Sequence, residues 1–531
     1  MVNQGLTPLP RGGGENKTSC EAIRIERDIM PKLTIDGKSI LVEPGSTVMQ
    51  AADRLGILIP RFCYHPALSA VGSCRMCMVE IERLPKLQTA CTTPAVDGMV
   101  VHTETDKVRD ARRSILEFLL INHPIDCPVC DKTGECFLQD YYMEYGLYTS
   151  RYLEERWNKR KVFILGPTIV MDEERCVLCS RCVRFFEEVS KVKRLGIFER
   201  SAESYLSTYP GEVLKDPYCG NVVDLCPVGA LTDRDFRFEQ RVWMLKHGDA
   251  VCPFCARGCN ITVDYNEKSD IQINDRRVYR FRPRYNPEVN GYWMCDTGRY
   301  GYRAVDSPER IGEPLMREGK RMIPVGWETM IKKTALRIRE VIDQDGPECI
   351  GLIVHPSVTC ETAGAAKRLF VEHLGVRNVS TGFPVDPSAY EDDILIRKDR
   401  FPNRRGLEQA GLAAGEKDAE WILGAWARGE LKLLYVIGDD LPRLLNKQKL
   451  SPLFGTEGTL ILQKSTAGTE DESARMILPS AMSLEEDGTF INFEGKAQQF
   501  KAVVSPFGES LGSGDILARL AQALGLDTGT A

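Results

Sequence analysis

The chain has 531 residues, 43% hydrophobic and 27% charged, with a formal net charge of −6. That length exceeds one ordinary core and implies several domains of roughly 100–200 residues each. The mild charge argues against nucleic-acid binding, and no run reaches the ~18 apolar residues of a membrane-spanning helix, so any membrane association is expected to come through a partner.

In chain order, residues 1–29 carry a triple glycine (Gly12–Gly14) and no apolar period, and read as a disordered extension. Residues 30–107 read as strand, turn and strand over 32–43 (Leu33, Ile35, Ile40, Val42, turn at Asp36-Gly37). A helix capped by Thr47 follows through Gly56, then strands at Met78–Glu82 and Val100–Thr103. Residues 108–165 open with an amphipathic helix, Val108–Asn122, and continue as helix and connector. Residues 166–246 and 247–305 are two cysteine-bearing units. Residues 306–531 have α/β character, with buried strands at Cys349–His355 and Leu431–Gly438 and helices at Met330–Ile342 and Ala363–Leu374.

Fifteen of the nineteen cysteines fall into four groups within residues 63–295, joined by one histidine. Disulfides belong to small secreted domains, whereas tight Cys-x2-Cys spacing is a metal-ligand pattern. The first group is Cys63, Cys74, Cys77 and Cys91, a loop plus a remote thiolate, approximating the spacing of plant-type [2Fe–2S] ferredoxins. The second is His123, Cys127, Cys130 and Cys136. Three thiolates need a fourth donor, and neutral imidazole can serve. The third is Cys176-x2-Cys179-x2-Cys182, closed by Cys226-Pro227, the bacterial [4Fe–4S] run. Cys219 is a rival for the fourth position, and the proline favours Cys226. The fourth is Cys252, Cys255, Cys259 and Cys295, which fits a tetrathiolate [4Fe–4S] cluster. Tetrahedral zinc competes at each group, most weakly at the third.

Between Cys259 and Cys295 stand Arg276, Arg277, Arg280, Arg282 and Arg284. They read as a solvated basic face, or as electrostatic support for an anionic cluster or acidic partner. No acid/base pair, nucleophile triad, Walker loop or Gly-x-Gly-x-x-Gly stands out, so no catalytic residue is assigned. The chain reads as an electron wire rather than a site that binds nicotinamide or flavin.

Several motifs carry a family resemblance. They are His123-x3-Cys127-x2-Cys130-x5-Cys136 with Leu138-Gln139-Asp140, the Cys176 triple, and Asp224-Leu225-Cys226-Pro227-Val228-Gly229-Ala230-Leu231-Thr232. Together they resemble the large 75-kDa-type (G-type) iron–sulfur subunits of respiratory NADH:quinone oxidoreductases, over roughly residues 31–531. The resemblance implies an α+β multidomain chain: a β-grasp [2Fe–2S] ferredoxin domain, a helical His/Cys cluster domain, a [4Fe–4S] ferredoxin-like domain, and a truncated α/β molybdopterin-oxidoreductase-like domain. It implies one [2Fe–2S] cluster at the first group and [4Fe–4S] clusters at the other three, the fourth off the main electron path.

Leu484–Asn492 and Glu494-Gly495-Lys496 are similar to molybdopterin oxidoreductases, but only about 235 residues follow Cys295. Cys349 and Cys360 have the wrong surroundings for a molybdenum ligand, so no molybdopterin is expected. The implied partners are a flavin- and NADH-binding subunit, downstream iron–sulfur subunits, and indirectly a membrane arm on the cytoplasmic side of the inner membrane. Alternatives are the diaphorase side of an NAD-linked hydrogenase or formate dehydrogenase, a catalytic molybdenum enzyme, and a zinc-stabilised scaffold.

Overall fold

The computed structural model describes residues 30–267, 276–381, 385–412, 417–438 and 457–526. The expectation for residues 1–29 lies outside the described residues. Near the N-terminus five strands form a sheet in the order Lys38–Leu41, Lys32–Ile35, Val100–His102, Met78–Ile81, Gln88–Thr89. The first two are antiparallel around Asp36 and Gly37, at φ 45° and 79°, the double positive φ of a tight hairpin turn. Lys32–Ile35 then runs parallel to Val100–His102. Helix Val48–Arg54 starts at a Thr47–Gln50 capping box. Its Val48, Ala51 and Ala52 pack with Leu33, Ile35, Val79 and Val101 in a core that also holds Cys77 and Cys91.

The next helix spans Asp106–Leu120, two residues earlier at each end than the apolar pattern suggests. Thr105 caps it by accepting the Val108 N–H at 3.4 Å, and Asp106 suits the first turn. Arg112 on this helix is fully buried and donates to the Tyr145 hydroxyl at 2.9 Å. That bond pins the helix to Phe137–Tyr145.

Three antiparallel strands, Lys246–Val251, Asn260–Tyr265 and Val278–Pro283, follow. They overturn the reading of the arginine run as a solvated basic face. Asp264, fully buried, accepts from Arg280 Nε at 2.6 Å and Arg282 Nε at 2.8 Å. Arg280 also reaches Glu135 at 2.9 Å, and Arg277 reaches Asp306 and Glu485, both at 2.8 Å. Arg277, Arg280 and Arg282 turn toward largely buried carboxylates, because an unpaired buried acid would be costly, whereas Arg276 and Arg284 pair with the more exposed Glu239 and Asp249.

The C-terminal half is built on seven strands in the order Arg321–Pro324, Leu315–Glu318, Met476–Pro479, Thr459–Lys464, Leu433–Ile437, Ile350–Val354, Asn378–Ser380. The last five are parallel to one another. Both faces are covered, which explains the continuous apolar runs. Leu433, Tyr435 and Ile437 pack with Met330 and Ile338 of helix Trp327–Asp345. Leu434 and Val436 pack with Ile422 and Trp426 of helix Ala419–Ala427. The expected helix over Ala363–Leu374 starts earlier, at Cys360, and loosens into a π-helical stretch, Lys367–His373. Among the described residues no helix is long and apolar enough to cross a membrane.

Candidate metal centres

The four groups recognised from spacing are each brought together. In the first, Cys63, Cys77 and Cys91 are buried and Cys74 is half-buried. The Cys63 N–H donates to Cys74 Sγ at 3.4 Å, and the Cys77 and Cys91 sulfurs are 3.4 Å apart. Side-chain hydrogen bonds of Cys63 to both Cys74 and Cys91 link all four thiols into one set. Gly72 and Arg75 take positive φ (60° and 59°) to wrap the loop. Hydrogen bonds from Cys74 and Cys91 hold the Cys63 thiol well below the ordinary range, whereas the Cys63 and Cys77 sulfurs push Cys91 up.

The second group lines a cavity of about 190 Å³ with Leu120, Leu138 and Tyr142. Cys127 opens a 3-10 turn, Cys127–Val129, and Cys136 directly precedes helix Phe137–Tyr145. Burial, helped by Arg175, lowers His123 to about 4. The ring is thus neutral at ordinary pH, the form that can ligate a metal. Arg175 is held by Asp126 at 2.7 Å.

The third group, Cys176, Cys179, Cys182 and Cys226, surrounds a small space walled by Ile197, Leu206, Val228, Ala230 and Leu231. Leu178 and Ser180, at φ 49° and 58°, turn the loop so that all three cysteines of the triple face inward. Burial pushes Cys176 up to about 12 and Cys179 to about 11. Cys219 does not line this space; its sulfur accepts the Asp216 N–H at 3.1 Å. Cys226 therefore closes the group.

The fourth group sits in the turn between Lys246–Val251 and Asn260–Tyr265, where the Cys252 N–H donates to the Cys259 carbonyl at 2.8 Å. Cys295 arrives as the cap of Asp296–Arg299, its sulfur accepting the Gly298 N–H at 3.4 Å. Phe254, Met294, Leu395 and Arg400 complete the wall. Burial raises Cys252 and Cys259 well above the usual thiol range and Cys295 to about 11. Cys349 and Cys360 lie apart from every group, bonded to the Asp345 carbonyl and the Asn403 side chain.

Two glycines shape these sites. A side chain at Gly229 would collide with Cys130 Sγ, and one at Gly298 would lie 3.0 Å from Cys252 Sγ. Among the described residues, no three His, Cys, Asp or Glu side chains converge tightly enough to grip a single ion. The second, third and fourth groups instead enclose spaces, which fits a group several atoms across.

Spacing did not reveal Arg181 and Arg184, which join the first and third groups. Arg181 donates to the carbonyls of Tyr64 (2.6 Å) and Leu225 (3.3 Å). Arg184 donates to the carbonyls of Cys63, Ser69 and Cys179. The signal was present in Cys179-Ser180-Arg181-Cys182-Val183-Arg184, where cations flank the third cysteine of the triple.

Five family profiles match in succession: a 2Fe-2S iron-sulfur cluster binding domain over residues 30–106, an NADH-ubiquinone oxidoreductase-G iron-sulfur binding region over 112–151, an NADH-quinone oxidoreductase subunit 3 ferredoxin-like domain over 166–232, a molybdopterin oxidoreductase Fe4S4 domain over 245–307, and molybdopterin oxidoreductase over 404–523. The G-type NADH-quinone oxidoreductase subunit of Rickettsia felis is 38% identical over 72% of this chain and 54% of its own length. A G-type subunit of Rhizobium meliloti, numbered 2, is 43% identical over 56% of this chain and 34% of its own. The 75 kDa NADH-ubiquinone oxidoreductase subunit of Reclinomonas americana is 38% identical over 61% of this chain and 45% of its own. The chain thus spans about half the length, or less, of these relatives. A solved NAD+-reducing [NiFe]-hydrogenase chain is 30% identical over 40% of this chain and 91% of its own, with a TM-score of 0.36. By its order of iron–sulfur domains and these identities, the chain is a relative of the G-type, or 75 kDa-type, iron–sulfur subunits of NADH-quinone oxidoreductases.

Proposed function

We propose that the chain carries electrons one at a time within an NADH:quinone oxidoreductase, from a flavin-bearing partner subunit toward iron–sulfur subunits of the quinone-reducing arm. When bound, an iron–sulfur cluster takes up and releases single electrons. In this reading Cys63, Cys74, Cys77 and Cys91 hold a [2Fe–2S] cluster, with two thiolates per iron. His123, Cys127, Cys130 and Cys136, then Cys176, Cys179, Cys182 and Cys226, then Cys252, Cys255, Cys259 and Cys295 each hold a [4Fe–4S] cluster. Residues 30–107, 108–165, 166–246 and 247–305 are their four units, the first a β-grasp ferredoxin-type sheet, and 306–531 is a degenerate molybdopterin-oxidoreductase-like domain. The chain has no active site of its own, binds no nucleic acid, and meets the cytoplasmic face of the inner membrane only through partners.

The observation that carries this reading is the contact between neighbouring groups. Arg181 and Arg184 bond the backbone of the first group to that of the third. Gly229, three residues beyond Cys226, abuts Cys130 of the second, and the Phe137 N–H donates to the Pro227 carbonyl at 2.9 Å. The protein's part is to hold the donors, exclude water and set the local charge. The C-terminal half has a cavity of about 930 Å³ whose lining includes Glu361, Asp487 and Asp515 against Arg368. That acidic lining disfavours a phosphate-bearing pterin.

The test is anaerobic iron and sulfide analysis with EPR of the dithionite-reduced protein. The expected result is about 14 iron atoms per chain, with one [2Fe–2S] and three [4Fe–4S] signals. Zinc at the tetrads would overturn the reading.

A further inference from the structure

Arg181 and Arg184 are 4% and 5% exposed. Among the described residues neither faces a carboxylate within ion-pairing distance. Arg181 bonds two carbonyls, and its Nε has no partner. Arg184 bonds three carbonyls and the Ser180 hydroxyl, the last at 3.3 Å. Other buried guanidiniums nearby do find acids: Arg175 takes Asp126, Arg280 takes Asp264 and Glu135, and Arg299 takes Asp224. Two buried cations side by side without an anion are expensive, because carbonyl dipoles replace only part of their lost hydration. Arginine does not escape by deprotonating.

The anions available, once each adjoining group binds its cluster, are the ligated thiolates and the cluster itself. Arg184 holds the backbone of Cys63 and Cys179, ligand positions of the first and third groups. Arg181 holds Tyr64, next to Cys63, and Leu225, next to Cys226. Both side chains therefore stand between the two groups and serve both.

We propose that Arg181 and Arg184 are shared counter-charges for the first and third centres, stabilising the electron-rich form of both. This rests on the electron-carrier reading above. Reduction adds one electron, and one negative charge, to a centre that is already anionic. A fixed positive charge in a water-poor wall favours that form and raises its potential. One pair of cations acting on two centres also keeps their potentials in step, so that changing either arginine moves both.

The experiment is an EPR-monitored redox titration of the assembled complex carrying Arg181→Gln, Arg184→Gln, Arg181→Lys or Arg184→Lys. Each Gln variant is expected to weaken reduction of the first and third centres about tenfold or more, a fall of about 59 mV per tenfold for one electron. The second and fourth centres stay in place, and Lys restores most of the loss. Unchanged potentials in the Gln variants would overturn the proposal, as would equal shifts in Lys and Gln. Should a Gln variant lose iron from these centres, retention in its Lys counterpart supports the charge requirement, and loss in both overturns it. Absence of both signals from the unaltered protein would instead refute the electron-carrier reading itself.

Discussion

Gly229 lies against the sulfur of Cys130, so any side chain at 229 would claim the space that Sγ fills. Its neighbours Val228 and Ala230 line the third group's space, so one short segment serves both groups. Gly229→Ala forces the sulfur or the loop aside, an overpacking cost of about 1–3 kcal/mol. The expected outcome is loss or distortion of the second centre's EPR signal, with the first and fourth unchanged. An unaltered spectrum would show that this contact does not shape the second centre.

His123 is neutral and lines the same cavity as Cys127, Cys130 and Cys136. His123→Ala is expected to lose the second centre. His123→Cys is expected to keep it at a lower midpoint potential, since thiolate brings a negative charge that imidazole lacks. Potentiometric EPR decides, and a Cys variant at the parental potential would remove His123 from the ligand set.

Glu485 has no side-chain exposure and binds Arg310 through both carboxylate oxygens, at 2.9 and 2.7 Å, with Arg277 at 2.8 Å. Glu485→Gln leaves the buried Arg310 without an anion, at a cost of about 3–5 kcal/mol, and leaves Arg277 with Asp306 alone. Thermal unfolding followed by circular dichroism should show a clear fall in Tm, because this cluster ties the strand end near 277 to the C-terminal sheet.

Burial, with Asp515 and Glu361 nearby, pushes the Glu486 carboxyl up from its ordinary 4.5 to about 8. Between those values the folded chain keeps a proton that the unfolded chain releases. Stability contributed here therefore falls as pH rises through this window and levels off above it. Glu486→Gln carries no such dependence. Its Tm advantage over the parent should open from pH 4.5 to 8 and then stay constant; a difference flat across that range would exclude the assignment.

The metal groups were legible because their ligands are local. Cys176, Cys179 and Cys182 sit within seven residues, and the Pro227 beside Cys226 separated it from Cys219. The N-terminal sheet was legible through Asp36-Gly37 and the Thr47 cap. The arginine run was misread because its partners, Asp264, Glu135, Asp306 and Glu485, are distant in sequence. Period-2 spacing of Arg280, Arg282 and Arg284 is a strand signal that charge obscured. Arg181 and Arg184 were missed for the same reason, since what they bind is backbone far along the chain. In the C-terminal half, apolar runs revealed individual strands such as Leu433–Ile437, but strand order depends on long-range pairing that no local pattern encodes.

The Ala256 N–H, inside the Cys252–Cys259 turn, donates to the Asp399 carbonyl, and the Ala256 carbonyl accepts from the Phe493 N–H, both at 2.9 Å. The turn that carries three cysteines of the fourth group is thus pinned by two well-separated segments of the C-terminal half. A chain cut after residue 307, where the Fe4S4 profile stops, would leave that turn unfastened. Any piece that keeps both bonds reaches at least to Phe493, almost 200 residues beyond the end of the matched profile, so in this molecule heredity and mechanics draw the module's border in different places.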